Sequence, residues 1–344
     1  MHASSYDRMA EFCHDYLAAR QDEPLTIVDL GSCDYNGSYR PIFARKPWHY
    51  LGVDLAPGKN VDLVLREAYH WPELQSDSVD VLVSGQTFEH TEFFWETILE
   101  ITRVLKPGGL CCIIAPASGP EHRFSLDCWR IFADGFRALA RYSALEVLHA
   151  HTHWEELAKY NDESNKWHES ILIARKRPES LGERIRRRLF AAARRRLHPL
   201  PQRDETLIQV FFSSDGVLRE EASVVGGVEQ GDWREVRINL PDHARACPLR
   251  IDFMRTLAFV EIARLSVSAA TREYFSAASA DEFNVVSVQG DAERLPHPEY
   301  LRLRITGIDP QLVLPVLESG REEGKLRVEL RLRVFGDIDR VENI

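Results

Sequence analysis

Two hydrophobic rhythms divide the chain. Up to residue 176, short apolar runs alternate with helical patterns: LTIVDL at 25–30, YLGVDL at 50–55, VDLVL at 61–65, VDVLVS at 79–84, LCCIIA at 110–115, LEVLHA at 145–150 and ESILIAR at 169–175. Stretches 93–105 and 129–142 read as helices; in the first, Ile98, Ile101, Val104 and Leu105 share one stripe. Strands that are apolar on both faces and separated by helices predict a mostly parallel sheet covered on both sides. Seven such runs predict a seven-stranded α/β Rossmann-like domain over residues 1–177.

Beyond Asp204 the rhythm becomes alternation. TLIQVFF at 206–212, WREVRINL at 233–240, LRIDF at 249–253, FVEIARLSV at 259–267, FNVVSVQ at 283–289, YLRLRITG at 300–307 and KLRVELRLRVF at 325–335 read as strands. In the last, Leu326, Val328, Leu330, Leu332 and Val334 point one way and Arg327, Glu329, Arg331 and Arg333 the other. Half-buried strands at this spacing predict an antiparallel β-sandwich over 204–344. Between the domains, residues 178–203 hold seven arginines from Arg184 to Arg196, with Ile185, Leu189, Ala193 and Leu197 on one helical stripe. This is either a solvated linker helix or a helix that lies on an anionic membrane surface or against a partner.

The 344 residues are 44% hydrophobic and 28% charged, which is globular composition. A net charge of −10 argues against general nucleic-acid binding. The six cysteines include no CxxC pair, so reduced thiols are expected and a structural zinc site is not. No apolar run reaches membrane-spanning length, and the N-terminus lacks a secretory pattern, so a cytoplasmic protein is expected.

The chemistry begins after the first strand, in VDLGSCDYNGSYR. A strand that enters a glycine turn is where α/β folds bind nucleotide-like ligands. Gly31 is followed by Ser32, Cys33, Asp34, Tyr35 and Asn36 before Gly37, so the spacing that cradles a diphosphate is missing. The loop offers carboxylates instead, which suit a ligand with an amine and a sulfonium, S-adenosylmethionine. Asp54, 25 residues after Asp29, ends the second strand where a carboxylate can accept both ribose hydroxyls.

Together these residues resemble the class I S-adenosylmethionine-dependent methyltransferases over roughly 20–176. VDLGSCDYNG resembles the first motif, through Asp29 and Gly31; LGVDL resembles the second, through Asp54 and Leu55. REAYHWPELQSDSVDVLVSG resembles the stretch that flanks the adenine, through Glu67 and Ala68, and runs on to Gly85. RVLKPGGLCCIIAP resembles the family's helix stopped by Lys106, Pro107, Gly108 and Gly109 before the fifth strand. The resemblance implies a cofactor site of Asp29, Gly31, Ser32, Cys33, Asn36, Gly37, Asp54, Leu55, Glu67, Ala68 and Gly85. Cys33 departs from it, standing where the family usually has glycine.

Methyl transfer needs alignment and, for a hydroxyl acceptor, a base. His90, with Glu89, follows the fourth strand and is the first candidate; His122 and Asp127 are in reserve. Glu121, Arg123, Trp129 and Arg130 follow the fifth strand and suit a polyhydroxylated acceptor. His149, His151 and His153 share one strand face, with His168 on its neighbour, but no metal is expected. The second domain resembles β-sandwich modules of bacterial surface-polysaccharide assembly enzymes, with Trp233 and Tyr300 as candidate glycan contacts. The expectation is O-methylation of a sugar hydroxyl of a surface glycan or its precursor, at the inner face of the cytoplasmic membrane and alongside polysaccharide-assembly proteins. A non-catalytic scaffold that binds glycan, or a small-molecule or protein acceptor, are the alternatives.

Overall fold

The computed structural model describes residues 2–122, 126–160, 162–197, 199–200, 205–213, 215, 217–219, 222–254, 259–270, 272–315 and 325–336. The chain divides into two compact units, residues 1–121 with 126–200 and residues 122–125 with 201–344.

The first unit runs α1 (Ala3–Leu17), β1 (Thr26–Leu30), α2 (Arg40–Phe43), β2 (His49–Asp54), β3 (Leu63–Val64), β4 (Val79–Gly85), α3 (Phe94–Val104), β5 (Leu105–Ala115), α4 (Ala133–Tyr142), β6 (Leu145–Thr152), β7 (Ser170–Lys176) and α5 (Leu181–Leu197). Its seven strands line up as β3-β2-β1-β4-β5-β7-β6. All neighbours pair in parallel except β7, which is antiparallel to both β5 and β6. The strands are apolar on both faces because both faces are covered. On β4, Leu82 joins the core beneath α3 and α4, whereas Val81 and Val83 join the core beneath α1 and α2. On β5, Cys111 and Ile113 go one way and Cys112 and Ile114 the other. Cys13, Cys111 and Cys112 are free thiols, and burial pushes Cys111 up to about 12.

Two boundaries differ from expectation. The helix before the fifth strand stops at Val104, not in the Pro-Gly-Gly sequence, and residues 105–109 already belong to β5. The glycines make the reversal: Gly108 has φ +82°, and a Cβ on Gly109 would lie 2.9 Å from the Lys106 carbonyl oxygen. The stretch expected to be helical from 129 starts only at Ala133, because residues 128–131 hydrogen-bond to the backbone of Glu89 and Pro116.

The basic segment forms α5, which belongs to the first unit instead of standing between the two. Arg187 pairs with Glu179, and Arg194 with Glu96. Among the described residues, no helix is long and apolar enough to cross a membrane.

The second unit is all-β: β8 (Glu205–Ser213), β9 (Ser223–Glu229), β10 (Arg234–Asn239), β11 (Arg245–Met254), β12 (Phe259–Ala269), β13 (Arg272–Ala277), β14 (Ser287–Leu295), β15 (Leu301–Val313) and β16 (Leu326–Phe335). β9 and β13 were not expected, and the run at 283–289 opens with a 3-10 turn before β14. The ladders are antiparallel and branch. β14, β15, β11, β8 and β9 form one group and β13, β12, β16 and β10 another, joined where Phe259–Ile262 pairs with residues 301–304. Both groups contribute to one core, which includes Ile208, Ile251, Leu265, Leu303 and Leu330. On β16 the five alternate apolar residues are buried as expected. On its other face, Arg333 joins Arg302 in clamping the fully buried Glu261 carboxylate, at 2.5 and 2.7 Å.

Candidate functional site

In the first unit, strands added after β1 run outward through β2 and β3, and the chain then returns to place β4 on the other side of β1. The crevice at the carboxyl ends of β1 and β4 is the switch point at which such sheets bind ligands. The turn after β1 is held tightly. The backbone N–H groups of Gly31 and Ser32 both donate to the Val53 carbonyl, at 2.9 and 3.2 Å. Gly31 has φ +77°, and a Cβ there would stand 2.1 Å from the Thr87 hydroxyl oxygen on the loop after β4. Only glycine lets these two loops meet.

Asp54 closes the other side. Its carboxylate accepts the Cys33 N–H at 3.0 Å and the Leu55 N–H at 2.7 Å, and burial raises its pKa. The Ala56 N–H also favours its charged form, and a carboxylate has the acceptor capacity to take a ribose hydroxyl as well. Leu55 is 53% exposed beside it, an apolar surface ready for a base. Glu67 is exposed near His70, and the Ala68 carbonyl accepts the Trp71 indole N–H at 3.0 Å. Gly85 packs against Tyr39, whose hydroxyl oxygen would be 1.9 Å from an added Cβ. Asn36 and Gly37 are exposed, and the Gly37 N–H donates to Asp34, which also pairs with Lys59 at 2.7 Å.

Asp29 sits differently from the expected cofactor contact. It is buried beneath the turn, where it accepts the Tyr50 hydroxyl at 2.5 Å, and burial lifts its carboxyl to about 7. Ser32 is likewise buried and donates to the Asn60 carbonyl at 3.3 Å. Both support the turn from below. Asn60 is the clamp that sequence reasoning missed: with φ +72° it donates to the Ser32 carbonyl at 2.8 Å and to Tyr50 at 3.1 Å, and accepts from Arg40. An asparagine in a PGKN turn was the only available signal.

The acceptor edge is built on the short 3-10 turn Phe88–His90 after β4. The Cys128 and Trp129 N–H groups donate to the Glu89 carbonyl at 2.7 and 3.1 Å, bringing the loop after β5 alongside. The Glu89 side chain is fully buried, and neither carboxyl oxygen has a hydrogen-bond partner among the described residues. Burial, reinforced by Asp127 and opposed by Arg130, pushes it up to about 8. His90 is adjacent, with Nε2 3.8 Å from Glu89 and Nδ1 against the Leu126 carbonyl. That carbonyl requires the proton on Nδ1, so a neutral ring turns the lone pair of Nε2 toward Glu89.

Other expected groups are engaged with one another. Asp127 is bound bidentately by Arg130, at 2.6 and 2.8 Å, which makes it a poor base. Arg130 also donates to the Pro120 carbonyl at 2.6 Å and so anchors the loop. Trp129 gives its indole N–H to the Thr91 and Glu92 carbonyls but remains 36% exposed. Glu121 is exposed, His122 falls in the second unit, and Arg123 lies outside the described residues. His149 and His151 alternate along β6, whereas His153 falls just past its end and so is not on the strand as expected; burial drives His153 down to about 4. His168 is at the end of a 3-10 turn instead of on a strand, with φ +41°.

A buried hub escaped the sequence reading. Glu169 accepts from Ser4 at 2.8 Å and Gln86 at 2.9 Å, with Arg8 at 3.3 Å, tying the start of α1 to the end of β4. Such long-range pairings leave no local pattern.

Residues 28–113 match the methyltransferase domain family. The first unit therefore has a methyltransferase-type Rossmann fold, and its cofactor is S-adenosylmethionine. Among curated proteins, an uncharacterized methyltransferase from Mycobacterium ulcerans (strain Agy99) is 30% identical over 146 residues, covering 37% of this chain and 54% of that protein. One from Mycobacterium bovis (strain BCG / Pasteur 1173P2) is 28% identical over 144 residues, with the same coverage. The chain thus spans about half the length of the curated relatives it matches. Among solved structures, a putative sarcosine dimethylglycine methyltransferase from Galdieria sulphuraria is 18% identical with a TM-score of 0.38, covering 49% of this chain and 86% of that one.

Proposed function

We propose that the first unit transfers a methyl group from S-adenosylmethionine to a hydroxyl of a sugar-containing acceptor, with Glu89 and His90 managing the acceptor's proton. The observation that carries this reading is the buried Glu89 carboxyl beside His90, at the edge that also holds the cofactor turn. A fully buried carboxyl is costly, and its raised pKa beside an imidazole supports a reading in proton chemistry.

When bound, S-adenosylmethionine supplies a methyl group already activated by its sulfonium. Asp54 would hold the ribose, Leu55 the adenine face, and the Gly31 turn would admit the cofactor close to the backbone. His90 is the candidate base for the acceptor proton, and Glu89 tunes its ring by changing its own charge near pH 8. Two aromatic surfaces favour a saccharide acceptor: the exposed edge of Trp129, and in the second unit Trp233 and Tyr300, with ring centroids 5.3 Å apart. Arg333 lies over Trp233 at 5.0 Å, giving that surface a positive margin suited to an anionic glycan.

The test incubates the full chain with methyl-labelled cofactor and separated glycan, small-molecule and protein fractions of a bacterial lysate. Label in the glycan fraction is expected. Label confined to protein or small molecules would overturn the acceptor assignment, and cofactor binding without transfer to any fraction would favour the scaffold.

A further inference from the structure

α5 turns three of its seven arginines inward and leaves its large apolar side chains outward, whereas an ordinary surface helix buries its apolar stripe. Arg184, Arg187, Ala191 and Arg194 are its half-buried positions, spaced i, i+3, i+7 and i+10 along one face. Arg187 donates to Glu179 at 2.9 Å; Arg194 donates to Glu96 and, at 3.2 Å, to the Tyr142 hydroxyl; Arg184 lies 3.9 Å from Asp77. These contacts fix which way the helix faces. Ile185 and Leu189 lie on the opposite side, flanked by Leu181, Phe190 and Leu197, and all five are 49–72% exposed. Arg186, Arg188, Arg195 and Arg196 stand exposed among and beside them, without an ion-pair partner among the described residues.

We infer that this outward face docks on an anionic lipid bilayer. An occupant must supply both an apolar phase and negative charge along the same line, since Arg186 and Arg196 project within the apolar half of the helix. A bilayer leaflet with acidic headgroups does both: Ile185, Leu189 and Leu197 sink to the acyl boundary, and the arginines reach back to the headgroups. A second copy fits poorly, because a two-fold contact would set arginine against arginine. The molecule as a whole has a net charge of −10, so a local basic patch such as this one is needed for attraction to an acidic surface.

The inference stands apart from the proposed reaction and is tested without it. The full chain is floated with vesicles of phosphatidylcholine alone or with one third phosphatidylserine. Strong binding to the anionic vesicles and weak binding to neutral ones are expected. Replacing Arg186, Arg188, Arg195 and Arg196 together with serine should weaken that binding on the order of a hundredfold. L189E with F190E should abolish it, with the thermal melt of both variants unchanged because the altered side chains are exposed. Absence of wild-type binding to either vesicle, or equal binding by the variants, overturns the inference. So does concentration-dependent dimerisation lost in L189E/F190E without vesicle binding, which would assign the face to a second copy.

Discussion

At the residue scale, two carboxyls define the site and make opposite use of burial. Asp54, though its pKa is raised by burial, accepts backbone N–H groups that favour its charged form; Glu89, fully buried, is pushed up to about 8 and holds its proton at neutral pH. Asp54→Ala should weaken cofactor affinity by roughly ten- to a hundredfold, the value of hydrogen bonds to a charged group. Calorimetric titration checks this, and unchanged affinity would remove the ribose assignment. For Glu89 the folded pKa of about 8 lies above the ordinary 4.5, so the folded state binds the extra proton between those values. Wild-type stability then falls as pH rises through that window, and Glu89→Gln, neutral throughout, gains on it. The expected relative gain between pH 5 and pH 9 is on the order of a few kcal/mol, read as a growing difference in melting temperature. A difference independent of pH would show that Glu89 titrates normally. Asp54, Leu55 and Gly31 were legible in the sequence because each belongs to a strand-and-turn pattern. Glu89 and His90 were legible as candidates, but the engagement of Asp127 by Arg130 was not, since pairing depends on how a loop folds back.

At the element scale, the same kinds of side chain have different weight according to what they face. Ile101 on α3 is fully buried beneath the sheet, whereas Leu189 on α5 is mostly exposed. Ile101→Ala should cost about 2–5 kcal/mol, and Leu189→Ala less than about 0.5 kcal/mol. Chemical denaturation of the two variants checks the contrast; a large loss at Leu189 would mean that its face packs inside the protein. The strands of the first unit were readable from their double-sided apolar runs, as Leu82 against Val81 and Val83 shows. The orientation of α5 was not. Its stripe of Ile185, Leu189 and Leu197 is what sequence logic would bury, and only the ion pairs of Arg187 and Arg194 reveal that the other side is held.

At the scale of the whole molecule, two cores of different construction are joined in one chain. The first is a mostly parallel sheet buried on both faces, the second a branched antiparallel assembly around one core. A ligand that binds only the first should raise only its transition in scanning calorimetry, by about 2.7 kcal/mol of stability at a hundredfold excess over Kd. Movement of the second transition alone would place the cofactor elsewhere. The alternation on β16 made the second class legible, whereas β9, with Gly226 and Gly227 in its middle, lacks the pattern that marks a strand.

The account rests on the turn after Leu30 holding S-adenosylmethionine. Titration calorimetry of the full chain with that cofactor, beside NAD as control, tests it most directly. One cofactor bound per chain, no heat from NAD and loss of binding in Asp54→Ala are expected; no heat from S-adenosylmethionine, or uptake of the dinucleotide in its place, would contradict it.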